Sequence, residues 1–455
     1  MIVCKNCGAN MRYDAAGRCL SCDYCGSTLE IVNNTKIDIT SEEQLMDATV
    51  YTCPQCGGEI YTTEDTAATF CSYCGSSVLL ESRVASIAKP DYIIPFKITK
   101  EQAAEKYLQR LRHAMFAPSS LKSAQIEKLR GIYMPYWEYY YDSQTSVNFS
   151  ADGSSVRKGD YVYTDVYDVS FLANIKSDGL EFDASSKLPD DLSQSFAPYY
   201  FKESKMFNPA YMSGFYADVG DVPSYTYTGQ ANKLVADTAA DEITSYCSFG
   251  EARVNSDTIS GHIYPGDPYV GLAMYPVWFA SARTEDGKHI NYATVNGQTG
   301  KVAADVPIDK KKLIIWSLIF AVPVFLLVYF LLSPTPRTTL ILVALLAVVG
   351  YIVGKRTLNV MNPEDLGVKN SLSREKNNQT SEDAEYETKV KRNMTIRLVI
   401  TIAITVLIAF INPVQDYIHY AAAMAGSVLC GWNYWRIFDI YNRKISRPLP
   451  QLDKR

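Results

Sequence analysis

The chain has 455 residues, 47% of them hydrophobic, and a formal net charge of -5. That length allows two or three folded units. A mean hydropathy of -0.09 excludes a chain immersed throughout in lipid and suits a soluble body with a membrane anchor.

The first 76 residues hold one pattern twice, offset by 49 positions: Cys4, Cys7, Cys22 and Cys25, then Cys53, Cys56, Cys71 and Cys74. Each copy reads C-x2-C-x14-C-x2-C, the spacing of a tetrahedral Cys4 metal site, and predicts two zinc ribbons over residues 1–33 and 51–82. The offset also maps Gly8 to Gly57, Tyr24 to Tyr73, Gly26 to Gly75 and Ser27 to Ser76. A glycine follows every cysteine pair, where a tight turn calls for positive φ. Four thiolates close the coordination shell, so two structural Zn2+ ions are expected, supplying folding free energy that a segment of about thirty residues cannot raise from its own core. Iron suits such a site as well. Cys19 also forms a C-x2-C pair with Cys22, but its counterpart in the repeat is Ala68, which makes it a bystander thiol. Cys247 and Cys430 are isolated and read as buried free thiols.

Residues 34–50 form an acidic connector between the ribbons, and residues 83–130 a helical linker. Within the linker, Thr99-Lys-Glu-Gln102 has capping-box form ahead of apolar residues at helical spacing, predicting a helix over about 100–114. A second short helix is expected over 123–130. From residue 131 to 308 tyrosines and β-branched residues crowd together, as on a pleated surface. Residues 274–282, a turn at 285–287, residues 290–295 and a turn at Asn296-Gly297 before 299–306 predict a meander. The whole reads as an α+β, β-rich cytoplasmic domain whose tyrosines serve sheet packing.

Four apolar stretches follow. Residues 313–332 are twenty uncharged positions, about 30 Å as a helix, enough to cross a bilayer. Residues 338–354 follow after a short Pro-containing turn, giving a first hairpin over 309–356. Residues 398–411, extended by 394–396 with Arg397 reaching toward headgroups, and 417–435 give a second over 394–436. A four-helix transmembrane region of two helical hairpins is expected, the alternative for the second pair being a re-entrant or interfacial hairpin. Between the hairpins lies a charged loop, 357–393, with no fold expected of its own, and after them a basic tail, 437–455. Lys310, Lys311, Lys312, Lys355, Arg356, Lys389, Lys391, Arg392, Arg397, Arg436, Arg443 and Lys444 border one side of the spans, and only Arg337 lies in the short turns. The positive-inside rule then places both termini in the cytoplasm of a multi-pass protein of the bacterial cytoplasmic membrane, and the reducing compartment keeps the thiols for metal. No cleavable signal peptide is expected in the first residues.

The ribbons, Ile94-Pro-Phe96, Gly131-Ile-Tyr-Met-Pro-Tyr-Trp137, the run from Phe207 to Tyr216, Tyr275-Pro-Val-Trp278, Val295-Asn-Gly-Gln-Thr-Gly-Lys301 and Arg447-Pro-Leu-Pro-Gln451 together resemble a family of bacterial multi-pass membrane proteins with paired N-terminal TFIIB-type zinc ribbons, some labelled primosomal or replication-factor-like. The resemblance implies the eight cysteines as metal ligands, and recruitment of membrane-stress or band-7 scaffold proteins. It supplies no catalytic motif.

The chain's four histidines are scattered, and no nucleophile elbow, zinc-protease helix or phosphate loop occurs, so no enzyme activity is expected. Nucleic-acid binding is the alternative role of zinc ribbons. Residues 1–90 carry six Lys or Arg against eleven Asp or Glu, and two filled Cys4 sites would bring the net charge to about −9, the wrong sign for phosphate backbones. The expected role is therefore a membrane-anchored adaptor or scaffold, with cytosolic or membrane-associated proteins and the bilayer as partners and a homo- or hetero-oligomer allowed.

Overall fold

The computed structural model describes residues 2–31, 45–62, 71–74, 76, 81–119, 121, 129–187, 190–195, 197–283, 289–331, 335–360 and 381–448. The first ribbon is a small antiparallel sheet of β1 (Met11–Asp14), β2 (Cys19–Cys22) and β3 (Thr28–Leu29). It is not a free knob. Tyr13 drives its ring among Tyr211 and Phe215, donates its hydroxyl to the Phe96 carbonyl at 3.3 Å and its backbone N–H to Ser213 at 3.0 Å.

The second ribbon is sewn into the main domain. Its strands β4 (Leu45–Thr52), β5 (Glu59–Thr62) and β6 (Glu81–Ala88) end a sheet of twelve strands among the described residues. That sheet continues through β7 (Tyr92–Ile93), the long pair β8 (Arg130–Lys158) and β9 (Tyr161–Asp183), β10 (Lys205–Met206), β11 (Tyr216–Asp218), β12 (Tyr269–Arg283), β13 (His289–Asn296), β14 (Val302–Ala304) and β15 (Arg447–Pro448). β5 joins the body through β11, which runs antiparallel to β5 and parallel to β8. Residues 45–50 are thus strand and not connector, and 83–88 and 92–93 are strand and not helical linker. The short helix expected over 123–130 lies mostly outside the described residues, and Arg130 opens β8.

The segments that carried the family resemblance meet in space. Phe96 stacks on Phe215 with ring centroids 4.3 Å apart, and Tyr133 and Trp278 close around them at 5.0 and 5.1 Å from Phe96. Gly131 is required here: a Cβ would stand 2.3 Å from the Phe215 ring. Helix α1 (Lys100–Arg112) starts at the expected capping box, Thr99 and Gln102 bonding each other's backbone N–H, and buries Ala103, Tyr107 and Leu111 against this core.

The meander of β12, β13 and β14 is present; its expected turn at 285–287 lies outside the described residues. The hairpin of β8 and β9 was not foreseen at its length. Its alternation explains it. Val147, Phe149, Ala151, Ala173 and Ile175 point inward, with α2 (Thr228–Tyr246) packed against that face. The other face is a polar ladder, Gln144 to Asn174 at 2.9 Å, Ser170 to Asn148 at 2.6 Å and Ser150 to Asp168 at 2.8 Å. Cys247, expected to be buried, is exposed just after α2, and Cys430 is half-buried.

Four long helices complete the chain: α3 (Lys310–Leu331), α4 (Pro336–Val360), α5 (Ser381–Ile411) and α6 (Asp416–Ile445). Among the described residues three segments are long and apolar enough to cross a membrane, Lys310–Phe330, Pro336–Arg356 and Thr388–Ile411. α4, α5 and α6 pack together through small residues. A Cβ on Gly350 would stand 2.5 Å from the Tyr434 hydroxyl, and one on Gly354 2.5 Å from Ile437, so the spacing Gly-x-x-x-Gly on α4 lets α6 approach. No residue of the Lys310–Phe330 window on α3 is buried. The helices also reach further than expected. α4 runs to Val360 and α5 begins at Ser381, so parts of the supposed charged loop are helical, while 361–380 lie outside the described residues. α6 runs through the first half of the supposed tail to Ile445, and β15 then pairs with β13. Arg397 lies 5.4 Å over the Trp432 ring and donates to Asn433 at 3.1 Å.

The helices are clamped to the domain. Asn442 of α6 accepts from Ile308 N at 2.7 Å and donates to its carbonyl at 2.9 Å, Ser446 donates to Asn291 at 2.7 Å, and Tyr441 donates to Val306 O at 3.3 Å. Lys310 pairs with Asp439 and lies 4.8 Å over Trp435, and Asp309 N donates to Phe116 O at 2.7 Å.

Candidate metal centres

Two turns of backbone build each centre. In the first, Gly8 N donates to Cys4 O and Gly26 N to Cys22 O, both at 2.9 Å, with φ of 77° and 72° at the two glycines. In the second, Gly57 N donates to Cys53 O at 2.9 Å with φ of 76°. Gly75 lies outside the described residues. These turns curl each cysteine pair so that both sulfurs face one point.

All eight predicted ligands converge as predicted, in two quartets whose sulfur atoms lie within 4.8 Å of one another. The spacing fits a metal and not a disulfide. Cys4–Cys25 and Cys7–Cys22 sulfurs are 3.6 and 3.4 Å apart, and Cys53–Cys74 and Cys56–Cys71 are 3.8 and 3.7 Å apart. A tetrahedral ion with bonds of about 2.3 Å to sulfur has edges of about 3.8 Å, whereas a disulfide needs about 2.05 Å. Cys19 belongs to neither quartet. The thiols compete for negative charge: the Ser27 hydroxyl brings Cys25 down to about 6, a hydrogen bond from Cys71 brings Cys53 down to about 6, and Cys71 is pushed up, first by its bond with Cys53. A cation is what lets four such sulfurs ionise together. Each quartet can therefore hold one metal ion of zinc type.

The two centres differ in surroundings. Cys53, Cys56, Cys71 and Cys74 are all buried, at 3% exposure or less. Tyr292 donates its hydroxyl to the Tyr73 carbonyl at 2.9 Å, Arg283 Nε donates to the Cys74 carbonyl at 2.7 Å, and the Phe279 and Tyr73 ring centroids are 6.3 Å apart. In the first centre Cys4 and Cys22 are buried but Cys7 and Cys25 are exposed, and Tyr24, the counterpart of Tyr73, is 83% exposed. Sequence reasoning missed Arg283, Tyr292 and Phe279 as the cover of the second knuckle. Their distance from it along the chain, about two hundred residues, left no local signal.

Behind the second ribbon lies a buried ion pair, Lys187 Nζ to Asp218 at 2.8 Å, with side chains 5% and 0% exposed. Among the tyrosines, Glu138 on β8 is wholly buried, accepts from the Tyr275 hydroxyl and leaves its other carboxylate oxygen without a partner.

Compared with known proteins, the chain is 30% identical over 326 residues to "Uncharacterized protein YdjG" of Bacillus subtilis (strain 168), covering 69% of this chain and 92% of that protein. No family model and no solved structure matches the chain.

Proposed function

The chain belongs to the family of the Bacillus subtilis protein YdjG, and on that premise we propose that it is a membrane-anchored zinc-ribbon adaptor that recruits cytosolic proteins to the inner face of the cytoplasmic membrane. The observation that carries this reading is the clamp between α6, the start of α3 and the β-domain through Asn442, Ser446 and the Lys310–Asp439 pair. It makes the anchor and the platform one body and holds the ribbons in a fixed relation to the bilayer.

In this reading each quartet holds a structural Zn2+, which supplies cross-linking and no chemistry. α6 joins the three apolar helices as a fourth span: residues 417–435 carry no charge, and α6 shares packed faces with α4 and α5. The helices then stand as two hairpins with both termini and the β-domain inside, as the flanking Lys and Arg favour. No catalytic role is assigned. A link to membrane stress rests on the family resemblance alone. The acidic ribbons and the absence of a basic stripe in residues 1–90 weigh against a nucleic-acid-binding role.

Affinity capture of the full chain from membranes in mild detergent, with and without chelator, tests the adaptor role. A set of cytosolic proteins that leaves with the metal supports it, and an identical or empty set in both arms contradicts it. Reporter fusions at the two termini and after Arg337 test the topology: inside, inside and outside are the expected results.

A further inference from the structure

The internal repeat holds its own template for a docking surface. The second ribbon's knuckle, Cys71-Ser-Tyr-Cys74, is pressed on the face of β12 and β13, and three groups make the contact: Tyr292 and Arg283 donate to the carbonyls of Tyr73 and Cys74, and Phe279 stands beside the Tyr73 ring. The first ribbon presents the corresponding knuckle, Cys22-Asp-Tyr-Cys25, built on the same turn: Cys22 N to Ser27 O and Cys71 N to Ser76 O are both 2.9 Å, and Ser27 and Ser76 hydroxyls lie 3.1 and 2.9 Å from Cys25 and Cys74 sulfurs. Yet this copy is open. Tyr24 is 83% exposed where Tyr73 is 1% exposed.

A substitution between the copies favours the outward ring. Tyr73 lies back over Gly58 of its own ribbon, where a Cβ would stand 2.6 Å from the ring. The equivalent position in the first ribbon is Ala9, whose methyl group blocks that arrangement. Tyr24 is held out as an amphipathic anchor on a rigid turn, the kind of residue that dominates interfaces. The opposite side of this ribbon is already committed to the core through Tyr13, which leaves the knuckle facing outward.

We propose that the knuckle of the first ribbon is the docking surface for a protein partner, and that the partner presents what β12 and β13 present to the second: a β-sheet face with an aromatic side chain flanked by arginine or tyrosine donors. This deepens the adaptor reading and rests on it. Charge agrees with the choice of donor. A filled Cys4 site carries a formal −2, and Asp23 is already paired with Arg12 at 3.5 Å, so the sulfur cluster is what favours a cationic guanidinium over an acidic surface. A second copy of this chain is a poorer occupant, because its own β12–β13 face is covered by its own second ribbon.

The test is site-resolved photo-crosslinking in the full chain in intact cells, with p-benzoylphenylalanine placed at Tyr24, at buried Tyr73, and at Tyr246, which is 88% exposed at the end of α2. Tyr73 should give adducts within the chain, on β12 or β13. Tyr24 should give adducts with a partner, mapping to strand residues beside Arg or Tyr, and Tyr24→Asp should lower recovery of that partner about tenfold or more with metal content unchanged. Adducts with lipid or nucleic acid, adducts on partner tails or loops, a yield no greater than at Tyr246, or recovery that survives Tyr24→Asp would each overturn the proposal. Co-purification with the unsubstituted chain, scored in parallel, separates the two levels: partners retained without such Tyr24 adducts refute this surface alone, and loss of all partners refutes the adaptor reading too.

Discussion

Replacing Glu138 by Gln should weaken the loss of stability as pH rises. Glu138 is 0% exposed on β8, faces Gly271 across to β12, and accepts from Tyr275 through one oxygen. Burial, against the partial relief of the Tyr275 bond, pushes its carboxyl from 4.5 up to about 8. The folded value lies above the unfolded one, so this group's stabilisation is full below about pH 4.5 and is lost as pH rises toward 8. Each pH unit in that window is worth about 1.4 kcal/mol, hence about 4 kcal/mol between roughly pH 5 and 8. Glutamine keeps the acceptor for Tyr275 but sets an amide NH2 where an oxygen has no partner, at a cost of about 1–3 kcal/mol. The variant should be the less stable protein at pH 5 and the more stable by about 2 kcal/mol at pH 8, with the curves crossing near about pH 6. Thermal midpoints of the detergent-solubilised chain measure this; at about 2–4 °C per kcal/mol, the parent should fall by about 10 °C more across the window than the variant, which keeps the decline due to Glu181, a neighbouring carboxyl that burial raises to about 7. A parent midpoint that is flat from pH 5 to 8, or a Glu138→Gln variant that keeps the parent's slope, would refute the reasoning.

Other perturbations have equally definite outcomes. Lys187→Met should cost about 3–5 kcal/mol because it strands the buried Asp218 carboxylate, whereas adding Asp218→Leu should recover most of the loss in the same melting assay. Gly350→Leu should separate α4 from α6, since even a Cβ there would stand 2.5 Å from Tyr434; disulfide cross-linking between engineered cysteines on the two helices should fall while the far-ultraviolet spectrum is kept. Gly131→Ala should cost about 1–3 kcal/mol by pushing the Phe215 ring off Phe96, read as a lower thermal midpoint.

What was legible in the sequence was whatever short-range pattern dictates. Cysteine spacing identified both quartets, the capping box at Thr99 set the start of α1, and Asn296-Gly297 marked the turn after β13. What escaped depends on residues far apart. Leu45 to Val50 reads as part of a polar connector until β5 and β6 pair with β4 on both sides. The hairpin of β8 and β9 hides its period because the outer face of β8 is Gln144, Ser146, Asn148 and Ser150, which resemble loop residues when taken alone. Ser381 to Asn393 is charged, yet it prolongs a transmembrane candidate as one continuous helix, and α6 keeps its helix past Trp435 by docking Asn442 and Ser446 on the domain. The unequal fate of the two knuckles was least legible of all, since it turns on Ala9 against Gly58 and on strands about two hundred residues away.

The most direct test of an open and a sealed metal centre on one platform is stepwise metal release from the full chain in mild detergent. A chelator and a thiol-alkylating reagent are added together, metal is counted by elemental mass spectrometry, and alkylated cysteines are located by peptide mapping. One zinc should leave first, with alkylation at exposed Cys7 and Cys25 and a lower but still cooperative melting of the β-domain, whose core includes Tyr13 and Leu20 of that ribbon, while the second should leave only as that domain unfolds. Loss of both ions in one step, or alkylation of the Cys53 quartet before Cys7 and Cys25, would contradict the account.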